Sequence, residues 1–192
     1  MAHTQERRAV ADLALTEAAA HDGALLAPLL ARDPTAAGSL WRRFAPTVFR
    51  MLRRTLGPRA QIDDAVQDVL LRVYRKARGV KTGSDLTLLV LKTTSRVAYV
   101  WLRRHDTGLA DGGDGERDAV VRFYRVIARL SAWDRIAFTL HFIEGLGPRK
   151  ISAVIGSSSG RTRRRLHRGL REVYAGIRCD PVLRQVGESA RA

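Results

Sequence analysis

Between Pro148 and Arg178 stand nine lysines and arginines against a single acid, Glu172. Five of the nine, Arg161, Arg163, Arg164, Arg165 and Arg168, crowd the first turns of an expected helix running from Ser159 to about Ile177. Guanidinium groups at this density suit a polyanion. Each can hold a phosphate oxygen, and two N–H groups of one arginine match the edge of guanine in the major groove. A solvated charged helix face is the other reading of the same residues. What favours DNA is the preceding segment, a short helix ending at Ile155 and a turn at Gly156, Ser157 and Ser158. Short helix, tight turn and basic second helix together make a helix-turn-helix pattern.

A second constellation has the opposite charge. Wound at about 3.6 residues per turn, the segment from Gln61 to Arg78 places Ile62, Val66, Val69 and Val73 on one side and Asp64, Gln67, Asp68 and Leu71 on the other. An acidic stripe in a chain of formal charge +15 suits a basic protein partner. Asp63 and Asp64 would equally stabilise a helix start through the macrodipole, and spacing does not separate the two readings. Nothing resembles a nucleophile–base pair, a phosphate loop or paired catalytic acids, so an enzyme is not expected. The lone Cys179 and the scattered His3, His21, His105, His141 and His167 offer no metal-ligand spacing, and no metal or other cofactor is expected.

The elements that must carry these groups are helices. Apolar residues make up 45% of the 192 residues and aromatics only 6%, with Ala, Leu and Arg abundant, which predicts an all-α chain. The pI near 11.3 again favours nucleic acid as partner. Residues 1–38 read as a partly helical extension, broken from the next segment by Asp33, Pro34 and Gly38. Leu40, Phe44, Val48, Leu52 and Leu56 recur every four residues and predict an amphipathic helix from Ser39 to Gly57, with a kink at Pro46. A third helix is expected from about Ser84 to Arg104, apolar early and basic late. Residues 105–118, HDTGLADGGDGERD, lack apolar periodicity and read as a flexible acidic, Gly-rich connector between two small helical domains, 39–104 and 119–178. Residues 179–192 read as a tail. In the second domain Ser131 is a candidate cap, with Asp134 in the first turn of its helix. No apolar run approaches membrane-spanning length, so no membrane insertion and a cytoplasmic location are expected.

The run IDDAVQDVLLRVYRKA, Ile62 to Ala77, resembles the second conserved region of the sigma-70 family of transcription initiation factors. The run LSAWDRIAFTLHFIEGLGPRKISAVIGSSSGRTRRRLHRGL, Leu130 to Leu170, resembles the family's fourth region. With only these two regions, the chain is most similar to the extracytoplasmic-function group. The resemblance implies core RNA polymerase as partner, bound through Asp64, Gln67, Asp68 and Leu71. It implies contact with the melted −10 strand through Lys92, Arg96, Trp101, Arg103 and Arg104. It implies duplex −35 DNA held by Arg149, Lys150, Ser158, Arg161, Arg163, Arg164, Arg165 and Arg168. An anti-sigma factor is a further partner that such proteins commonly have.

Three places depart from the family pattern. Arg96 and Val100 occupy the third-helix positions where an Asn and an Asp are usual, which implies either altered −10 preference or weakened melting. Arg149 and Lys150 replace a common acidic pair and add charge where phosphates are contacted. Ser131 replaces a usual proline. Trp101 suits either stacking on separated strands or a core position. The alternative function is a degenerate sigma-like DNA-binding regulator that does not melt promoters. A basic chromosome-associated protein would explain the charge, but not the Asp64 and Asp68 stripe.

Overall fold

The structure, a computed structural model, describes residues 23–57, 62–104 and 119–189. The expected connector at 105–118 lies outside the described residues. Within them are nine α-helices and no strand: α1 (Leu26–Ala31), α2 (Ala36–Leu56), α3 (Asp63–Lys76), α4 (Gly83–Arg104), α5 (Ala119–Ala128), α6 (Ala132–Phe138), α7 (Pro148–Ile155), α8 (Ser159–Cys179) and α9 (Pro181–Ser189).

In the N-terminal half α2, α3 and α4 pack on one another. The four-residue period of α2 buries Leu40, Phe44, Val48 and Leu52, while Pro46 stays on the exposed side. The helix begins at Ala36, three residues before the expected Ser39, so Gly38 lies inside it. The preceding α1 is anchored by buried Leu29, which brings part of the extension into the fold. Gly57, with φ of 108°, ends α2 in a conformation that L side chains rarely adopt. Thr82 and Asp85 start α4 as a reciprocal cap: the Asp85 amide donates to Thr82 Oγ1 at 3.1 Å, and the Thr82 amide to Asp85 Oδ2 at 3.1 Å.

In the C-terminal half Ser131 caps α6, its Oγ accepting from the Asp134 amide at 3.3 Å, as the sequence suggests. A π-helical turn, Thr139–Ile143, continues α6. Residues 181–189, read from sequence as part of a tail, form α9, which packs on α5 and α8 through Leu183. Asp180 makes this possible. Its carboxylate accepts from the Val182 and Leu183 amides and pairs with Arg122 at 2.9 Å.

The two halves are packed together. One apolar cluster runs from Leu52, Val69 and Leu86 into Ile136, Leu140 and Ile151, and α4 lies against both α6 and α7. Tyr99 of α4 stacks on Trp133 of α6 with centroids 4.6 Å apart, and Arg54 reaches Glu144 at 3.0 Å. Arg135 is buried beside this seam: a Cβ at Gly57 would lie 3.9 Å from its Nη2. Burial pushes its guanidinium down to about 10, still cationic at neutral pH, and the negative end of α2 is close by.

Candidate nucleic-acid interface

Helices α7 and α8 form the helix-turn-helix. Pro148 at the first position of α7 is compatible with its missing N–H. Gly156 ends α7 at φ of 66°, and the Ser158 Oγ caps α8 by accepting from the Arg161 amide at 3.3 Å. Ser158, an expected DNA contact, therefore has a structural role as well. Between the two helices Ser152 Oγ lies 2.9 Å from the fully buried Thr162 Oγ1 and donates to the Pro148 carbonyl at 2.8 Å. The contact between the two hydroxyls favours this helix crossing, because separating them would take from the buried Thr162 Oγ1 its Ser152 partner, while Ser152 keeps the Pro148 carbonyl.

Thr162, Leu166, Gly169 and Val173 form the inward stripe of α8. Arg161, Arg163, Arg164 and Arg168 are exposed, as is Arg149 at the start of α7, while Lys150 is half-buried. Arg165, expected with them at the DNA, is placed differently from its neighbours. Its Nη1 donates to Asp134 Oδ1 at 2.8 Å, and only 22% of its side chain is exposed. Arg168 also approaches Asp134, at 3.5 Å from Oδ2, but 55% of its side chain is open. Asp134 and Arg165 lie 31 residues apart, so helical periodicity alone does not pair them. Arg163, Arg164 and Arg168, with His167, Arg171 and Glu172, border a shallow, mainly cationic groove of about 610 Å³.

On α4, Lys92 and Arg96 are exposed one turn apart, and Arg103 and Arg104 are exposed at its end. All four lie on the same helix as the seam residue Tyr99. Trp101 is half-buried against the apolar core, so its ring is partly committed to packing. Arg75, Lys76, Arg78 and Lys81, which the sequence reading did not select, are exposed around the α3–α4 connection. Their dense basic spacing was the available signal.

On α3 the two faces separate as the sequence predicts. Ile62, Val66, Val69 and Val73 are buried, whereas Asp64, Gln67 and Leu71 are exposed and Asp68 is half-exposed, paired with Arg72 at 2.6 Å. Asp64 and Gln67 also line a groove of about 690 Å³ whose other wall is Trp41, Ala45 and Phe49 of α2. Trp41 and Phe49 are exposed aromatics that the four-residue stripe of α2 omits. This surface can take an apolar side chain between its rings and a basic group on its carboxylates.

The sequence model of Sigma-70 region 2 matches residues 40–107, and that of Sigma-70, region 4 matches residues 121–173, together well over half of the chain. Comparison with curated protein sequences finds no match. Among solved structures the fold is similar to that of CnrH in complex with the cytosolic domain of CnrY, with a TM-score of 0.59 and 20% identity, covering 83% of this chain and 98% of that one.

Proposed function

Because the chain belongs to the sigma-70 family, as a sigma factor of the extracytoplasmic-function type that directs promoter recognition by RNA polymerase, we propose a division of this work among three helices. Helix α3 docks core polymerase through Asp64, Gln67, Asp68 and Leu71, with the adjoining aromatic groove of α2 receiving an apolar side chain. Helix α8 enters the major groove at the −35 element, with Arg161, Arg164 and Arg168 pointing outward and Arg149 and Lys150 close to phosphates. Helix α4 presents Lys92, Arg96, Arg103 and Arg104 to the melted −10 strand, Trp101 adding a stacking edge. The observation carrying this reading is the helix-turn-helix itself, whose α8 turns one stripe inward and leaves Arg161, Arg163, Arg164 and Arg168 open.

The family's members are not enzymes in general, and the work assigned to this chain is recognition, with no catalytic step of its own. No described helix is long and apolar enough to cross a membrane, and the reading places the protein in the cytoplasm with the polymerase. The similarly folded CnrH is seen with the cytosolic domain of CnrY, which supports an anti-sigma factor as a protein partner for this chain as well.

Run-off transcription with purified core polymerase on genomic fragments tests the reading. Specific new transcripts are expected, and Arg96→Ala is expected to reduce permanganate reactivity of unpaired thymines while core binding stays intact. Specific binding with no open complex on any fragment would instead establish the non-melting regulator.

A further inference from the structure

Asp134 is only 2% exposed, yet it carries a carboxylate on the face of α6 that meets the recognition helix. A buried carboxylate is costly unless its oxygens are matched by cations and donors. Here both oxygens face α8: Oδ1 takes Arg165 at 2.8 Å, and Oδ2 lies 3.5 Å from Arg168. The two arginines are three residues apart, adjacent on one helical face, so one carboxylate spans both.

The contacts differ in kind. At 2.8 Å, with a mostly covered side chain, the Arg165 pair is a charge-assisted hydrogen bond of ordinary length. Arg168 is more than half exposed, and its 3.5 Å approach leaves its donors free to bind elsewhere while the carboxylate limits where the guanidinium can point. Directly after it Gly169 brings α8 close to α6, where a Cβ would lie 3.6 Å from the Phe138 ring. The backbone at Arg168 is thus held against the helix that carries Asp134.

We propose that Asp134 is a positioning residue for promoter reading: it makes Arg165 a strut between α6 and α8 and pre-aims Arg168 at DNA. This rests on the reading of α8 as the −35 helix. Arg168 meets DNA in one geometry and exchanges its long contact with Asp134 for a DNA oxygen or base edge, so less side-chain freedom is lost on binding. Charge alone predicts the opposite sign for the loss of Asp134. Removing an acid near a cationic surface strengthens binding to any duplex.

The test uses holoenzyme reconstituted from full-length protein and core polymerase. The probes are a promoter fragment identified by run-off and the same fragment with its −35 segment scrambled. Asp134→Asn is expected to lower the ratio of the two affinities roughly tenfold, through a weaker promoter complex together with equal or tighter binding to the scrambled fragment. Should Asp134→Asn fail to fold with Arg165 left stranded, Asp134→Asn/Arg165→Gln removes the unpaired cation and carries the same expectation. An unchanged ratio in either folded variant overturns the proposal. Tighter binding to both fragments by an equal factor does so too, leaving Asp134 as a charge and nothing more. A wild-type ratio of one removes the reading of α8 as the −35 helix, and the proposal with it.

Discussion

Arg164 and Arg165 are neighbours in sequence with different chemistry. The first points away from the inward stripe of Thr162 and Leu166, and the second is tied down to Asp134. Arg164→Ala is expected to leave the melting temperature unchanged and to weaken promoter binding by about 1–3 kcal/mol if it reads a base, relaxing preference at one position. Arg165→Ala should act chiefly on stability, costing about 3–5 kcal/mol because Asp134 is left buried with only the distant Arg168. A thermal melt of each variant beside a duplex-binding isotherm separates them, and equal effects on both readouts would refute the distinction. The arginine cluster was legible from sequence as a patch. Which of its members stay open and which are tied down was not, because the deciding partner, Asp134, lies in another helix.

At the scale of elements, α3 was the most legible, since its apolar and polar positions alternate with the helical period and burial follows them residue by residue. Asp64→Ala/Asp68→Ala is expected to cost less than about 1 kcal/mol, because Asp64 is exposed and the Asp68–Arg72 pair is a surface one. Loss of core-polymerase binding with retained helical signal supports the assignment; unfolding, or unchanged affinity for core, would end it. Helix α9 was missed because its nine residues contribute one buried side chain, too few for a periodicity. The available signal was chemical: an Asp at the cap followed by Pro at the first helical position. Burial works to raise the Asp180 carboxyl, but the amides of Leu183 and Val182 together with Arg122 hold it below the usual carboxylate value. A depressed folded-state pKa stabilises above the unfolded value of 3.8 and is lost as pH falls through the folded one. Asp180→Ala is therefore expected to cost about 0.5–2 kcal/mol at neutral pH. The gap from wild type should close in melts taken progressively below pH 4, and a constant gap would rule out this linkage.

The whole molecule poses a problem of distance. By their names the −10 and −35 elements lie about 25 base pairs apart, roughly 85 Å of duplex at about 3.4 Å per pair. Helices α4 and α7 touch. The 14 residues 105–118 span at most roughly 50 Å of extended chain, so on the proposed division of α4 and α8 between the two elements promoter binding requires the halves to separate and to use their own widths as well. The seam was not legible because periodicity reports that a face is apolar and not what covers it; Tyr99 and Trp133 sit in different halves. Cys179, exposed and the chain's single cysteine, can carry one label, with Arg78→Cys carrying the second. Energy transfer between them is expected to fall when core polymerase is added, and Trp133→Ala, losing a stack of about 0.5–1.5 kcal/mol, should lower it beforehand. A distance unchanged by polymerase would show that the halves stay together. Opening also has a calorimetric signature. Association that buries apolar surface lowers heat capacity, whereas uncovering the seam around Tyr99 and Trp133 raises it. Holoenzyme assembly by this protein should therefore show a heat-capacity change smaller in magnitude than its polymerase interface alone would give, and a variant already parted at the seam should recover the difference.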